Sequence, residues 1–255
     1  MSEEPFVQIS VQLYSVRESF AADPAATLRR LAELGLRAVE PFGLTEHAET
    51  LRPLLAEFGL DAPSSHVSLL DAEDPVRVFA VAAGLGVGTV IQPYWDRQAW
   101  DREEDIRATA ERLNALAPLA SEAGLRVGYH NHEFEARPIF DGRCGLEVLV
   151  DHLDPRVVLE LDTFWCAVGG TDPAALLERL GQRVQLAHLK DGPLQGDTRK
   201  QLVLGQGEMD IPSILRAAPW LETGVIEFDH HEGDIFEAIG GSVTHLTELS
   251  QEEQA

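Results

Sequence analysis

Short runs rich in β-branched and aromatic residues alternate along the whole chain with longer stretches in which apolar residues recur every three or four positions. The first pattern suits a strand and the second a helix that buries one face. Their regular alternation points to βα units around a parallel sheet. Eight strands are predicted, at Val7–Tyr14, Ala38–Phe42, Ala62–Ser68, Thr89–Tyr94, Arg126–His132, Val157–Asp162, Val184–Lys190 and Val225–Asp229, each followed by a helical stretch. Asp23-Pro24 and Asp172-Pro173 mark helix starts, with a capping carboxylate ahead of a proline whose missing N–H costs nothing there. Gly35, Gly59, Gly124 and Gly181 mark helix ends. No linker or change of composition interrupts the series, so one domain is expected over residues 1–255. Eight right-handed crossovers close into a single α/β (β/α)8 TIM barrel, whose usual size is ~250 residues. A doubly wound open sheet is the alternative, but the first strand-helix turn carries no GxGxxG.

Composition narrows the chemistry. The 255 residues include 43 acidic and 20 basic side chains, a net charge of −23, which would repel a phosphate backbone and makes nucleic acid an unexpected partner. No apolar stretch reaches the ~20 residues a membrane span needs, and the acidic start MSEEPFVQIS is unlike a signal peptide, so a cytoplasmic protein without a membrane partner is expected. Cys144 and Cys166 form no CxxC pair and are read as free thiols.

In a barrel the active site lies at the C-terminal ends of the strands, and side chains alternate between the interior and the helix layer. Parity then groups Gly128, His130 and His132 on one face of the fifth run; Val158, Glu160 and Asp162 on the sixth; Leu186, His188 and Lys190 on the seventh; and Val225, Glu227 and Asp229 on the eighth. Four neighbouring strand ends carrying His, Asp, His and Glu can supply the mixed nitrogen and oxygen shell that suits Mn, Co, Zn or Mg. Taken singly, a strand-end His is more often a structural group, and an Asp before Thr is more often a helix cap. Several carboxylates buried together without a cation would destabilise the fold, so the set favours a metal more than any member does. Gln12 and Tyr14, Glu40, and His66 share the interior faces of the first three runs and are candidate substrate contacts, as is Trp165, which can stack on a sugar ring.

The ordered segments VQLYSVR (11–17), YHNHEFE (129–135), LELDTFW (159–165), AHLKDG (187–192), LGQGEMD (204–210) and VIEFD (225–229) resemble the sugar phosphate isomerase/epimerase family with xylose-isomerase-like barrels. The resemblance implies one divalent ion held by Asp162, His188 and Glu227, with His130 where the family carries Glu; water could instead complete the shell as His132 or Glu133 approaches. It does not extend to the related DNA-repair barrels resembling endonuclease IV, which need a three-zinc cluster and a basic groove.

The activity implied is proton transfer beside a carbonyl of a small sugar or polyol, through an enediolate, with Glu227 and His132 as candidate bases and Lys190 beside the oxyanion. Isomerisation or epimerisation is the first expectation and elimination from an inosose or 3-keto-glycoside the second. A sugar-binding barrel without catalysis, or a subunit completed by a partner or by a second copy, belongs to a different class. No Gly-rich phosphate loop is evident, and Gly205 and Gly207 are read as loop geometry.

Overall fold

The computed structural model describes residues 7–253. Seven parallel strands, β1 (Gln8–Val11), β2 (Ser64–His66), β3 (Thr89–Gln92), β4 (Arg126–His130), β5 (Val157–Asp162), β6 (Val184–Leu189) and β7 (Thr223–Ile226), pair in the order β1-β7-β6-β5-β4-β3-β2. Helices α1 (Arg17–Ala22), α2 (Pro24–Glu33), α3 (Leu44–Phe58), α4 (Pro75–Gly84), α5 (Glu103–Glu122), α6 (Gly145–His152), α7 (Thr163–Gly169), α8 (Pro173–Leu180), α9 (Ile211–Ala217) and α10 (Ile235–Glu253) fill the connections. The predicted caps form: Asp23 accepts from the Ala26 N–H, and Asp172 accepts from the Ala174 and Ala175 N–H groups. No helix among the described residues is long and apolar enough to cross a membrane.

The expected strand at Ala38–Phe42 is the departure from an eight-stranded sheet. It contributes isolated parallel bridges, Gln12 with Glu40 on one side and Ala38 with Asp61 and Phe42 with His66 on the other. Pro41 supplies the reason. Val39 N–H donates to the Asp61 carbonyl at 2.9 Å, and the next donor toward that neighbour would be residue 41, which has no N–H. The Pro41 carbonyl still accepts from His66 N–H at 2.8 Å, so the segment is held between β1 and β2 without a continuous ladder. Most other predicted strands end earlier than expected, which leaves His132, Lys190, Glu227 and Asp229 just beyond strand ends.

Two apolar clusters follow from strand parity. The large one packs the outer face of the sheet against the helices. A second, of Ile91, Val158 and Leu186, lies apart from it and uses the parity of Glu160, Asp162, His188 and Lys190. A side chain on Gly128 would place Cβ 2.9 Å from Ile91 Cγ1, so the absence of one lets these strands approach.

Candidate metal centre and active site

Strand register brings the polar residues together. Across β4 and β5, His130 is paired with Glu160, and across β5 and β6, Asp162 is paired with His188. One donor atom from each of His130, Asp162, His188 and Glu227 lies within 4.8 Å of the others, and all four residues are buried. His188 Nδ1 is 2.8 Å from Glu227 Oε2, and His130 Nε2 is 3.7 Å from Asp162 Oδ2. Asp162 also caps α7, accepting from Trp165 N–H at 2.9 Å through Oδ1. Capping occupies only that one oxygen and leaves Oδ2 available to another partner.

The same rings face a second, deeper group. His66 Nε2 lies 2.6 Å from Glu160 Oε2 and 3.2 Å from Glu40 Oε1. His188 Nε2 lies 2.9 Å from Glu40 Oε1 and 3.1 Å from Glu160 Oε2, and His130 Nδ1 is 3.1 Å from Glu160 Oε2. Glu40 is further held by the Gln12 amide, which donates at 2.8 Å, and by the Ser64 hydroxyl. His66, His130, Glu160 and His188 form an alternative group whose donor atoms also lie within 4.8 Å of one another.

Lys190 is the ammonium of the site. Its Nζ is 2.9 Å from Asp162 Oδ2, 2.7 Å from Glu227 Oε2 and 2.8 Å from Asp229 Oδ2. Burial alone would lower its pKa, but these carboxylates raise it well above the usual lysine value. Burial likewise opposes charge on Glu227, and Lys190 and His188 overcome it to hold that carboxyl well below its ordinary range. Asp162 goes the other way: burial outweighs the pull of Lys190 and His188 and raises it to about 6. On His188 burial is outweighed by Glu160 and Glu227, which push the imidazole well above its usual value. His130 is held well below that value by burial and by His188. His132 is pushed down to about 4 by burial and by Lys190, so its ring is neutral at neutral pH, and its buried Nδ1 has no hydrogen-bond partner among the described residues.

A divalent cation fits this donor set. Four buried carboxylates, of Glu40, Glu160, Asp162 and Glu227, and the half-buried Asp229 converge on one ammonium and the imidazoles, so that acids outnumber the lysine in a low-dielectric interior. Asp162 Oδ2 and Glu160 Oε1 are buried without a hydrogen-bond partner among the described residues, Lys190 lying too obliquely to donate to the former. Carboxylate oxygens mixed with imidazole nitrogens suit Zn, Mn, Co or Mg without selecting among them.

A model of the xylose isomerase-like TIM barrel family matches residues 28–232. The chain belongs to that family. An inosose dehydratase of Geobacillus kaustophilus (strain HTA426) is 26% identical over 193 residues, which cover 64% of this chain and 60% of the relative, so the likeness spans less than two thirds of that enzyme. Among solved structures, a sugar phosphate isomerase/epimerase from Parabacteroides distasonis ATCC 8503 superposes with a TM-score of 0.80 at 24% identity, covering 97% of this chain and 96% of the other. The IOLI protein, solved with a binding zinc atom, superposes with a TM-score of 0.74 at 16% identity, covering 96% of this chain and 99% of the other. These two likenesses show the fold.

Within this xylose isomerase-like chain, a cleft of about 900 Å³ opens over the polar group, and Tyr14, His66, His130, His132 and Glu227 line it. Gln12, Glu40, Trp165 and Lys190 are not among its lining residues. Gln12 and Glu40 lie beneath the cleft, hydrogen-bonded to each other, and Trp165 packs with its ring centroid 5.7 Å from Lys190 Nζ. Sequence reasoning assigned no role to Glu160, although its parity with Asp162 in LELD was the available signal. It also missed Tyr94, Arg77 and the Glu73-Asp74 turn, which line the cleft from loops and the start of α4 and follow no strand parity. The LGQGEMD loop wraps Asp191, whose carboxylate accepts from the Gly205, Gly207 and Met209 N–H groups.

Proposed function

We propose that this protein is a divalent-cation-dependent lyase that eliminates water or another β-leaving group from an uncharged keto sugar or keto cyclitol. The observation that carries the reading is a neutral His132 on the cleft wall, its Nδ1 unpartnered among the described residues, beside the His130, Asp162, His188 and Glu227 set. The inosose dehydratase relative supports the reaction class, and the zinc atom of the IOLI protein supports a divalent ion. When bound, such an ion would supply the Lewis acidity that makes the C–H beside a carbonyl removable.

The chain's own residues have separable tasks. His132 accepts the proton from carbon, and its conjugate acid is then placed to return it to the departing oxygen, so that water or an alcohol leaves as a double bond forms. Lys190, enclosed by three carboxylates, holds Asp162, Glu227 and Asp229 in place. Five acids line the cleft, Glu46, Glu73, Asp74, Glu227 and Asp229, against the single Arg77, a field that disfavours a phosphorylated substrate. Isomerisation or epimerisation would begin with the same abstraction, and epimerisation, which returns the proton to the opposite face, needs a second free acid-base group. Glu227 lines the cleft, and its Oε2 is engaged by His188 and Lys190. The same reading takes residues 38–42 as the eighth stave of one barrel domain, since Glu40 enters the centre from it.

The test is incubation with inososes and 3-keto-glycosides in D₂O with added Mn²⁺ or Zn²⁺. The expected result is release of water or aglycone with a conjugated product, abolished by chelation. Deuterium incorporation at the carbon beside the carbonyl without loss of a leaving group would replace the lyase with an isomerase or epimerase. Binding without either change would make the protein a carbohydrate-binding barrel.

A further inference from the structure

His130 and His188 each stand between the two carboxylate groups, with one ring nitrogen toward each. His130 turns Nδ1 toward Glu160 and Nε2 toward Asp162, while His188 turns Nε2 toward Glu40 and Glu160 and Nδ1 toward Glu227. An imidazole that ligates a metal is neutral whatever its charge without one, with one N–H and one lone pair, so whichever group takes the proton leaves the lone pair to the other. The deep group is the better acceptor of N–H. The Gln12 amide and the Ser64 hydroxyl fix Glu40, and Glu160 Oε2 is within 3.1 Å of ring nitrogens of His66, His130 and His188. The mouth group differs, because Asp162 Oδ2 has no aligned hydrogen-bond donor among the described residues and Glu227 Oε2 is already met by the Lys190 ammonium at 2.7 Å.

We propose that Glu160 and Glu40 are positioning residues that bind the N–H of His130 Nδ1 and His188 Nε2 and so present His130 Nε2 and His188 Nδ1 as metal ligands at the mouth. The inference rests on the divalent-ion reading above and specifies which atoms bind the ion. A carboxylate behind a ligating imidazole fixes its tautomer and ring orientation and strengthens its lone pair. The arrangement also decides between the two donor groups. Ions in both at once would strip both rings of their only N–H and make each an anion bridging two metals, so one ion per chain follows. The buried Glu160 Oε1, without a partner among the described residues, contributes nothing to this bond, which runs through Oε2.

The experiment loads protein labelled with ¹⁵N in its histidine rings with ¹¹³Cd²⁺. Cadmium–nitrogen coupling is expected at His130 Nε2 and His188 Nδ1, with protons retained on His130 Nδ1 and His188 Nε2 and one cadmium per chain. Coupling at the opposite nitrogens, or two ions per chain, overturns the proposal while leaving a metal-dependent enzyme. Failure to bind cadmium, zinc or manganese at all overturns both this proposal and the divalent-ion reading. Glu160→Gln keeps the shape of the side chain and should weaken cadmium affinity about 10- to 100-fold. An unchanged affinity would show that Glu160 does not act through His130 and His188.

Discussion

His132 has a buried Nδ1 without a hydrogen-bond partner among the described residues, and burial and Lys190 push its pKa down to about 4. His132→Ala removes a group that faces the cleft without contributing to the His130, Asp162, His188 and Glu227 set. Metal content and melting temperature should therefore hold, while turnover falls by ~10²–10⁴, the usual contribution of a placed acid-base group. Elemental analysis beside steady-state kinetics checks both halves, and loss of the metal would make His132 a ligand instead. Legibility at this scale was uneven. Asp162, His188 and Glu227 could be named from parity and resemblance, because strand alternation is local. Lys190 could be named but not placed, since its enclosure by Asp162, Glu227 and Asp229 depends on three separate segments.

The loop after β4 is organised by Glu135, which is fully buried and accepts from the Tyr129 hydroxyl and the His132 N–H, both at 2.9 Å. Burial raises its carboxyl to about 8 against a usual 4.5. The folded protein therefore keeps a proton that the unfolded chain releases near 4.5. Its contribution to stability is fully present below that pH and is lost as pH rises through about 8. Urea unfolding between pH 5 and 9 should show stability falling with pH, by on the order of a few kcal/mol from this residue. In Glu135→Gln, whose amide can serve the same two partners, that part of the slope should vanish; an equally steep slope in both proteins would assign it elsewhere. Pro41 likewise accounts for the second predicted run. The place of Ala38–Phe42 in the βα alternation reads as a strand, whereas Pro41 breaks its ladder toward β2.

Across the whole molecule, the buried centre carries more carboxylates than cations, at the cost of self-repulsion in a low-dielectric interior. An ion that binds the folded state alone should raise stability by about 2.7 kcal/mol at a hundred times its Kd. Added Mn²⁺ or Zn²⁺ is thus expected to raise the melting temperature, with EDTA reversing it. Asp162→Asn combined with Glu227→Gln should lose the response, and a double variant that still responds would place the ion elsewhere.

Periodicity, caps and parity are properties of neighbouring residues, so the chain alone announced βα units, helix starts at Asp23 and Asp172, and strand-end polar residues pointing into one interior. Register and closure are not local. They paired His130 with Glu160 and Asp162 with His188, brought Glu40 across from a broken strand, and turned both histidines so that each faces two carboxylate groups. Which acids lie against which imidazoles depends on how far each strand slides along its neighbour, and a period of two residues fixes the face of a side chain but not its height.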